Sequence, residues 1–301
     1  MWQILCLLSF LLPGCIREDR SACLPEEKER LVVLKVVDAA TGRDITESGE
    51  AGNAVLYLFS PEGVFTGQIP VDGEHIRNRW PIPLSCNGSG RSYVCVWTNA
   101  GNGQHFHSPS DERWIGGRAV SLTRNSGEYH GTPDDLFFGY MRLAAEGGVG
   151  PEEVTVMRKN ARMHITVRGL DRTVSQERYY FTVRTPNDGY DFAGNPSEGR
   201  ATVCLSGEFD TAGDFSTPDA FNLIHTDPVS AGEVSVCLYE RVSVRTADRL
   251  VVSTIADDGG RPISLPAGQT VNLLIDIREG TGVSIRMEIT PWNEVYQWDV
   301  W

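Results

Sequence analysis

The chain has no apolar run long enough to cross a bilayer. Its longest, residues 4–12, is interrupted by Ser9, whereas a spanning helix needs about 20 apolar residues. Basic residues are also scarce: 27 Lys and Arg stand against 40 Asp and Glu, a net charge of −13. That balance argues against nucleic acid and anionic lipid headgroups as partners, because both reward clustered cations. There is no Gly-x-Ser-x-Gly, no His-Glu-x-x-His and no Walker-type loop, so nothing marks an enzyme or a bound cofactor. Cys-x-x-Cys is missing too, and His75, His105, His107 and His130 read as solvated loop histidines rather than metal ligands. Long amphipathic helices are absent.

What is present begins with the amino terminus. The run 4–12 ends in Leu12-Pro13-Gly14-Cys15, and Glu18 and Asp19 follow. It is too short to span a membrane but has the length of the apolar core of an export signal. A bacterial lipoprotein signal places a small residue before a cysteine whose sulfur is acylated, and Gly14-Cys15 fits. Residues 1–14 therefore read as a removed lipoprotein signal peptide, Cys15 as the lipidation site and 15–29 as a lipid-anchored linker. Several acyl chains hold firmly, because each buried methylene contributes about 0.8 kcal/mol and one chain alone is marginal. An ordinary cleaved export signal and a buried strand are the competing readings of the run.

Beyond residue 29 the pattern is all-β. Short β-rich segments bounded by Gly, Asn, Asp and Pro occur at 30–37, 54–59, 63–69, 92–98, 119–122 and 136–141, then at 154–157, 161–167, 179–185, 201–205, 233–239, 249–254, 268–277 and 283–292. Residues 30–37 are apolar on both parities near their start, which predicts a strand buried on both faces. Residues 100–113 read as a long polar loop, and Asp257-Asp258-Gly259-Gly260 as a turn between strands. The layout expected is two β-sandwiches, 30–150 and 151–301, joined around 145–155; one elongated sandwich is the alternative. Five cysteines remain after Cys6 and Cys15. The local pairs Cys86 with Cys95 and Cys204 with Cys237 are candidate disulfides, five reduced thiols being the other option.

The last residues carry a large aromatic load. Trp292, Tyr296, Trp298 and Val300 share one strand parity, against Asn293, Gln297 and Asp299 on the other. Such a segment is either a strand donated to a neighbouring subunit or the final strand of the second sandwich. Two further features stand apart. Trp114, Tyr129, Phe137, Phe138 and Tyr140 read as core more than as a glycan-stacking surface, and Asn87-Gly88-Ser89 and Asp210-Thr211-Ala212 have glycosylation-like spacing.

Several stretches together resemble the FimB-type fimbrial anchor and minor-subunit lipoproteins of Bacteroidetes, relatives of the fimbrillins of type V pili. They are Cys15-Ile16-Arg17-Glu18-Asp19-Arg20-Ser21-Ala22-Cys23, Ser92-Tyr93-Val94-Cys95-Val96-Trp97-Thr98-Asn99, Asp134-Asp135-Leu136-Phe137-Phe138-Gly139, Val156-Met157-Arg158-Lys159-Asn160-Ala161-Arg162-Met163-His164-Ile165-Thr166-Val167 and the ending 285–292. The resemblance implies two transthyretin-like Greek-key β-sandwiches in tandem and no catalysis. It implies delivery to the outer membrane through acylated Cys15, with a place in a fimbria as anchor or accessory subunit. The implied partner is a fimbrial shaft subunit, joined by β-strand complementation, with residues 31–37 kept in the first sandwich. A tip adhesin, or a surface lipoprotein that binds glycans or host ligands, is the second expectation.

Overall fold

The structure, a computed structural model, describes residues 28–86, 92–101, 103–109, 114–125, 128–143, 150–226, 233–243, 246–278 and 282–298. The first half contains β1 (Lys28–Val37), β2 (Asn53–Phe59), β3 (Phe65–Asp72), α1 (Gly73–Arg77), β4 (Ile82–Cys86), β5 (Tyr93–Thr98), β6 (Gln104–Phe106), β7 (Arg118–Leu122), β8 (Phe137–Arg142) and β9 (Glu152–Arg158). The second contains β10 (Asn160–Arg168), β11 (Tyr179–Asp191), β12 (Pro196–Ser206), β13 (Glu208–Phe209), β14 (Phe215–Ser216), β15 (Phe221–Ile224), β16 (Ser235–Glu240), β17 (Arg249–Thr254), β18 (Gln269–Arg278) and β19 (Gly282–Pro291). The all-β expectation holds. The short α1 starts where the Asp72 carboxylate accepts the His75 amide at 2.8 Å, an N-cap.

Three sheets form. The first runs β3-β2-β5-β8-β9-β1-β4, and within it β1 and β9 are parallel, from Val32 opposite Glu152 to Val37 opposite Met157. The second runs β13-β14-β10-β18-β19 with β15 also on β10, and the third runs β17-β16-β11-β7-β6 with β12 also on β11. Alternation sets what each face buries. Val32, Leu34, Leu56, Val96 and Val154 make one core on the inner face of the first sheet, where Ile76 of α1 covers them. Met163, Ile165, Leu273 and Ile275 of the second sheet meet Phe181, Val183, Val236 and Leu238 of the third in another. A third core joins the halves: Tyr57, Phe59 and Trp97 on the reverse face of the first sheet pack against Val120, Tyr190 and Phe192.

This layout departs from two self-contained sandwiches cut at 150/151. Strand β9 lies after that cut yet pairs with β1 and β8, while β6 and β7 lie before it yet extend the third sheet by pairing β7 with β11. Of the expected join around 145–155, residues 152–155 belong to β9, and 145–149 lie outside the described residues. The connection between halves is Lys159 alone. Its amide donates to Leu136 O at 2.8 Å and the Tyr190 hydroxyl donates to its carbonyl at 3.0 Å. Beside it, Gly268 (φ +69°) donates to Asn160 O at 2.7 Å, and a Cβ there would come within 2.5 Å of the Ala39 side chain. Only glycine fits that contact.

Strand β1 is also buried on one face rather than two. Val32, Leu34 and Val36 point into the core, while Leu31 remains 38% exposed. The polar stretch 100–113 is not wholly loop, because β6 arises within it by pairing with β7. The turn at Asp257 forms as expected, with the Asp257 carboxylate accepting the Arg261 amide at 2.9 Å. Its flanks close across the Ala256–Pro262 bridge, and it carries the chain from the third sheet to the second rather than joining two strands of one sheet.

Candidate functional site

The aromatic carboxy-terminal segment leaves the fold at the junction between the halves. Pro291 lies opposite Gln269, and Thr270 lies opposite Arg162 near the start of β10, so the end of β19 and the start of β10 flank the start of β18 at one end of the second sheet. There the chain turns, with the Glu294 amide donating to Pro291 O at 3.0 Å, and strand pairing stops. Trp292 is 4% exposed. Its ring lies under two guanidinium groups, Arg158 at 4.6 Å and Arg162 at 5.1 Å. Its carbonyl accepts from Thr270 Oγ1 at 2.8 Å and Arg162 Nη1 at 3.2 Å. A desolvated cation–π contact contributes on the order of 2 kcal/mol, so this tryptophan is a fixed post.

Arg158 makes the post possible. On its other side the guanidinium stacks on Phe137 at 4.7 Å, and its edge donates to Asp135 at 2.9 and 3.0 Å through Nε and to Glu50 through Nη2. Asp38 stands 4.0 Å away. Burial opposes the charge on Arg158, but Asp135 and Glu50 outweigh it and hold the guanidinium above its ordinary pKa. Asp38, Glu50 and Asp135 come from the first half and Trp292 ends the second, so one buried cation ties both halves together.

Past the post the chain is held loosely. Val295 and Tyr296 are 37% and 41% exposed. The Tyr296 amide donates to Asn272 Oδ1 at 3.0 Å, and Tyr296 meets Trp298 edge to face at 4.7 Å under Arg286. Trp292, Tyr296 and Trp298 thus do not form the strand their parity predicts. Val300 lies outside the described residues. The outer edge of β19, where another strand would add, is blocked at its centre: the Asp258 amide donates to Ile285 O at 2.9 Å, Asp258 Oδ1 accepts the Ile285 amide at 2.8 Å, and Arg261 donates to Met287 O.

The other expected sites fare as follows. Cys15 lies outside the described residues, as do Asn87, Gly88 and Ser89. Neither proposed disulfide forms, since Cys95, Cys204 and Cys237 are free thiols. Cys204 and Cys237 both face Thr182 from opposite sides of β11. Two strand spacings separate them, about 10 Å, beyond the 4.4–6.8 Å that a disulfide spans between Cα atoms. Cys86 ends β4 and Cys95 lies in β5, four strands apart in the first sheet, or roughly 19 Å. Phe137 is core, while Trp114 and Tyr140 are exposed at separate places. His107 Nε2 lies 2.9 Å from Ser121 Oγ, and no group of three metal-ligating side chains occurs among the described residues.

A helix-poor, three-sheet body with a tethered aromatic tail is what comparison with known proteins then places. The family model described as fimbrillin-A associated anchor proteins Mfa1 and Mfa2 matches residues 24–298. The chain belongs to this family. Among curated relatives of these anchor proteins, the major fimbrium anchoring subunit FimB of Porphyromonas gingivalis is 26% identical over 313 residues, covering 98% of this chain and 95% of that protein. Solved structures share the fold: the fimbrial anchor protein Mfa2 of P. gingivalis superposes with TM-score 0.64 at 12% identity, over 88% of this chain and 98% of Mfa2. A Bacteroides thetaiotaomicron protein put forward as polysaccharide-binding superposes with TM-score 0.66 at 13% identity, over 90% of this chain and 99% of its own. The anchor-protein family match thus spans the Arg158 cluster and the Trp292 post.

Sequence reasoning missed the cluster around Arg158. The signal was available in the parity of β9: Val154, Val156 and Arg158 all point inward, and an inward-pointing arginine demands buried carboxylates.

Proposed function

We propose that this protein is an outer-membrane lipoprotein, held by acyl chains on Cys15, that anchors a fimbria by donating its carboxy-terminal segment to a shaft subunit. Its role is structural rather than catalytic, as befits an anchor-protein family. The observation that carries the reading is the contrast at Trp292. The chain is clamped up to that residue, and beyond it, as far as Trp298, pairs with no strand. An aromatic segment so placed can leave its own body without unfolding it and add to an unfilled sheet edge, where backbone hydrogen bonds supply affinity and alternate side chains specificity.

The test uses the native host, with fractionation and mild detergent extraction. Cys15→Ala should release the protein from the membrane fraction. Deleting residues 297–301 should leave it membrane-bound and folded but stripped of the fimbrial subunits that co-purify with the intact chain. Normal retention of fimbriae by the truncated protein would refute strand donation.

A further inference from the structure

The two chain ends and the junction are arranged so that tension between them has a defined route. Strand β1 runs from Lys28, at the far end of the first sheet, to Val37 beside the Arg158 cluster, and β9 runs alongside in the same direction. Pulling β1 by its amino-terminal end and β9 by its carboxy-terminal end therefore shears the ladder. All six register positions, Val32 to Val37, are loaded together.

The second half is placed differently. The end of β19 and the start of β10 lie at the same end of the second sheet. If load entered through Lys159 and left through Pro291 it would pull on β10 and β19, which flank β18 at that end of the sheet, and ladder bonds would break one after another from there. The Trp292 post intercepts that load. Its ring is gripped by Arg158, the last residue of β9, and by Arg162 of β10, while its carbonyl is held by Arg162 and Thr270, so force from the tail reaches the first sheet through the ring without passing along β19.

We propose that tension between the amino-terminal attachment and the carboxy-terminal tail is carried by the sheared β1–β9 ladder and the Arg158–Trp292 contact, bypassing strand β19. This rests on the reading above in that the two ends are the loaded points. The route itself belongs to the isolated molecule and can be tested even where fimbrial subunits fail to co-purify.

The experiment is single-molecule force spectroscopy on the full mature chain, with one handle at Cys15 and the other after the last residue. Once residues 293–301 are drawn taut, the intact protein should show one main rupture with no earlier extension. Trp292→Ala should add an early extension of about 35 Å, the ten residues of β19 at roughly 3.4 Å each, at less than about half the force of the main rupture, because one bond rather than six is then loaded at a time.

A second geometry separates this from simple destabilisation. With the second handle moved to Thr211, in the exposed turn between β13 and β14, load must enter the second half whatever residue 292 is. There Trp292→Ala should leave the trace unchanged. An early extension in the intact protein, its absence in the variant, or an equal weakening in both geometries would each overturn the proposal.

Discussion

Acidification should weaken this protein through one buried histidine. His225 is 7% exposed at the junction core. Its ring stacks on Tyr190 at 5.5 Å with Nδ1 3.1 Å from the Tyr190 oxygen, and its amide donates to that oxygen at 3.2 Å. Burial, helped by the charge on Lys159, pushes its pKa down from 6.5 to about 3. The folded state therefore holds His225 neutral, while the unfolded chain protonates it as pH falls through 6.5. The stabilisation is complete above pH 6.5 and drains away down to pH 3. At 1.36 kcal/mol per unit, the loss from pH 7.5 to pH 5 is about 2 kcal/mol, and the ceiling near pH 3 is about 5 kcal/mol. That is a large share of the 5–15 kcal/mol typical of a folded domain. Urea unfolding at both pH values measures it, with His225→Gln as the comparison. The variant starts less stable but should lose about 2 kcal/mol less on acidification. His164, also held below its ordinary pKa by burial, contributes in the same direction in both proteins and cancels. Equal pH dependence in the two would refute the reasoning.

Two further outcomes are expected. Asp135→Ala removes the carboxylate that receives Arg158 Nε and leaves a buried cation undercompensated, so denaturant unfolding should show a loss of about 3–5 kcal/mol, whereas Asp72→Ala at the exposed cap of α1 should lose only about 1 kcal/mol. Thiol labelling under native, non-reducing conditions should reach Cys204 and Cys237, which are half-buried, before Cys95, which is fully buried with its thiol pushed well above the ordinary range; protection of Cys204 and Cys237 that yields only to reductant would show that they pair after all.

Much of the fold was legible because alternation is local. A stretch such as 161–167 declares its buried face residue by residue, and the structure keeps it as β10; 54–59 is apolar on both parities and becomes β2, buried on both faces. Strand β4 was hidden by Pro83, which reads as a strand breaker but is tolerated on a sheet edge, where one side of the backbone has no strand to bond. Three-residue β6 owes its existence to β7 rather than to its own residues. The cysteine pairs failed because closeness in sequence is not closeness across a sheet: β12 and β16 each bond β11, so their thiols straddle it. The terminal aromatics were recognised as unusual, yet their parity pointed to a strand. The turn after Pro291 and the guanidinium pair that seizes Trp292 are tertiary facts that no spacing announces.

The parallel match of β1 with β9 has a temporal side. About 120 residues separate partners such as Val32 and Glu152, and loop closure over such a distance precedes any reward from the ladder. Until Arg158 has been synthesised, β1 has only β4 to bond, and the first sheet lacks its middle. A nascent chain with that topology stays open late, with the facing edges of β1 and β8 unpaired until β9 arrives to join them.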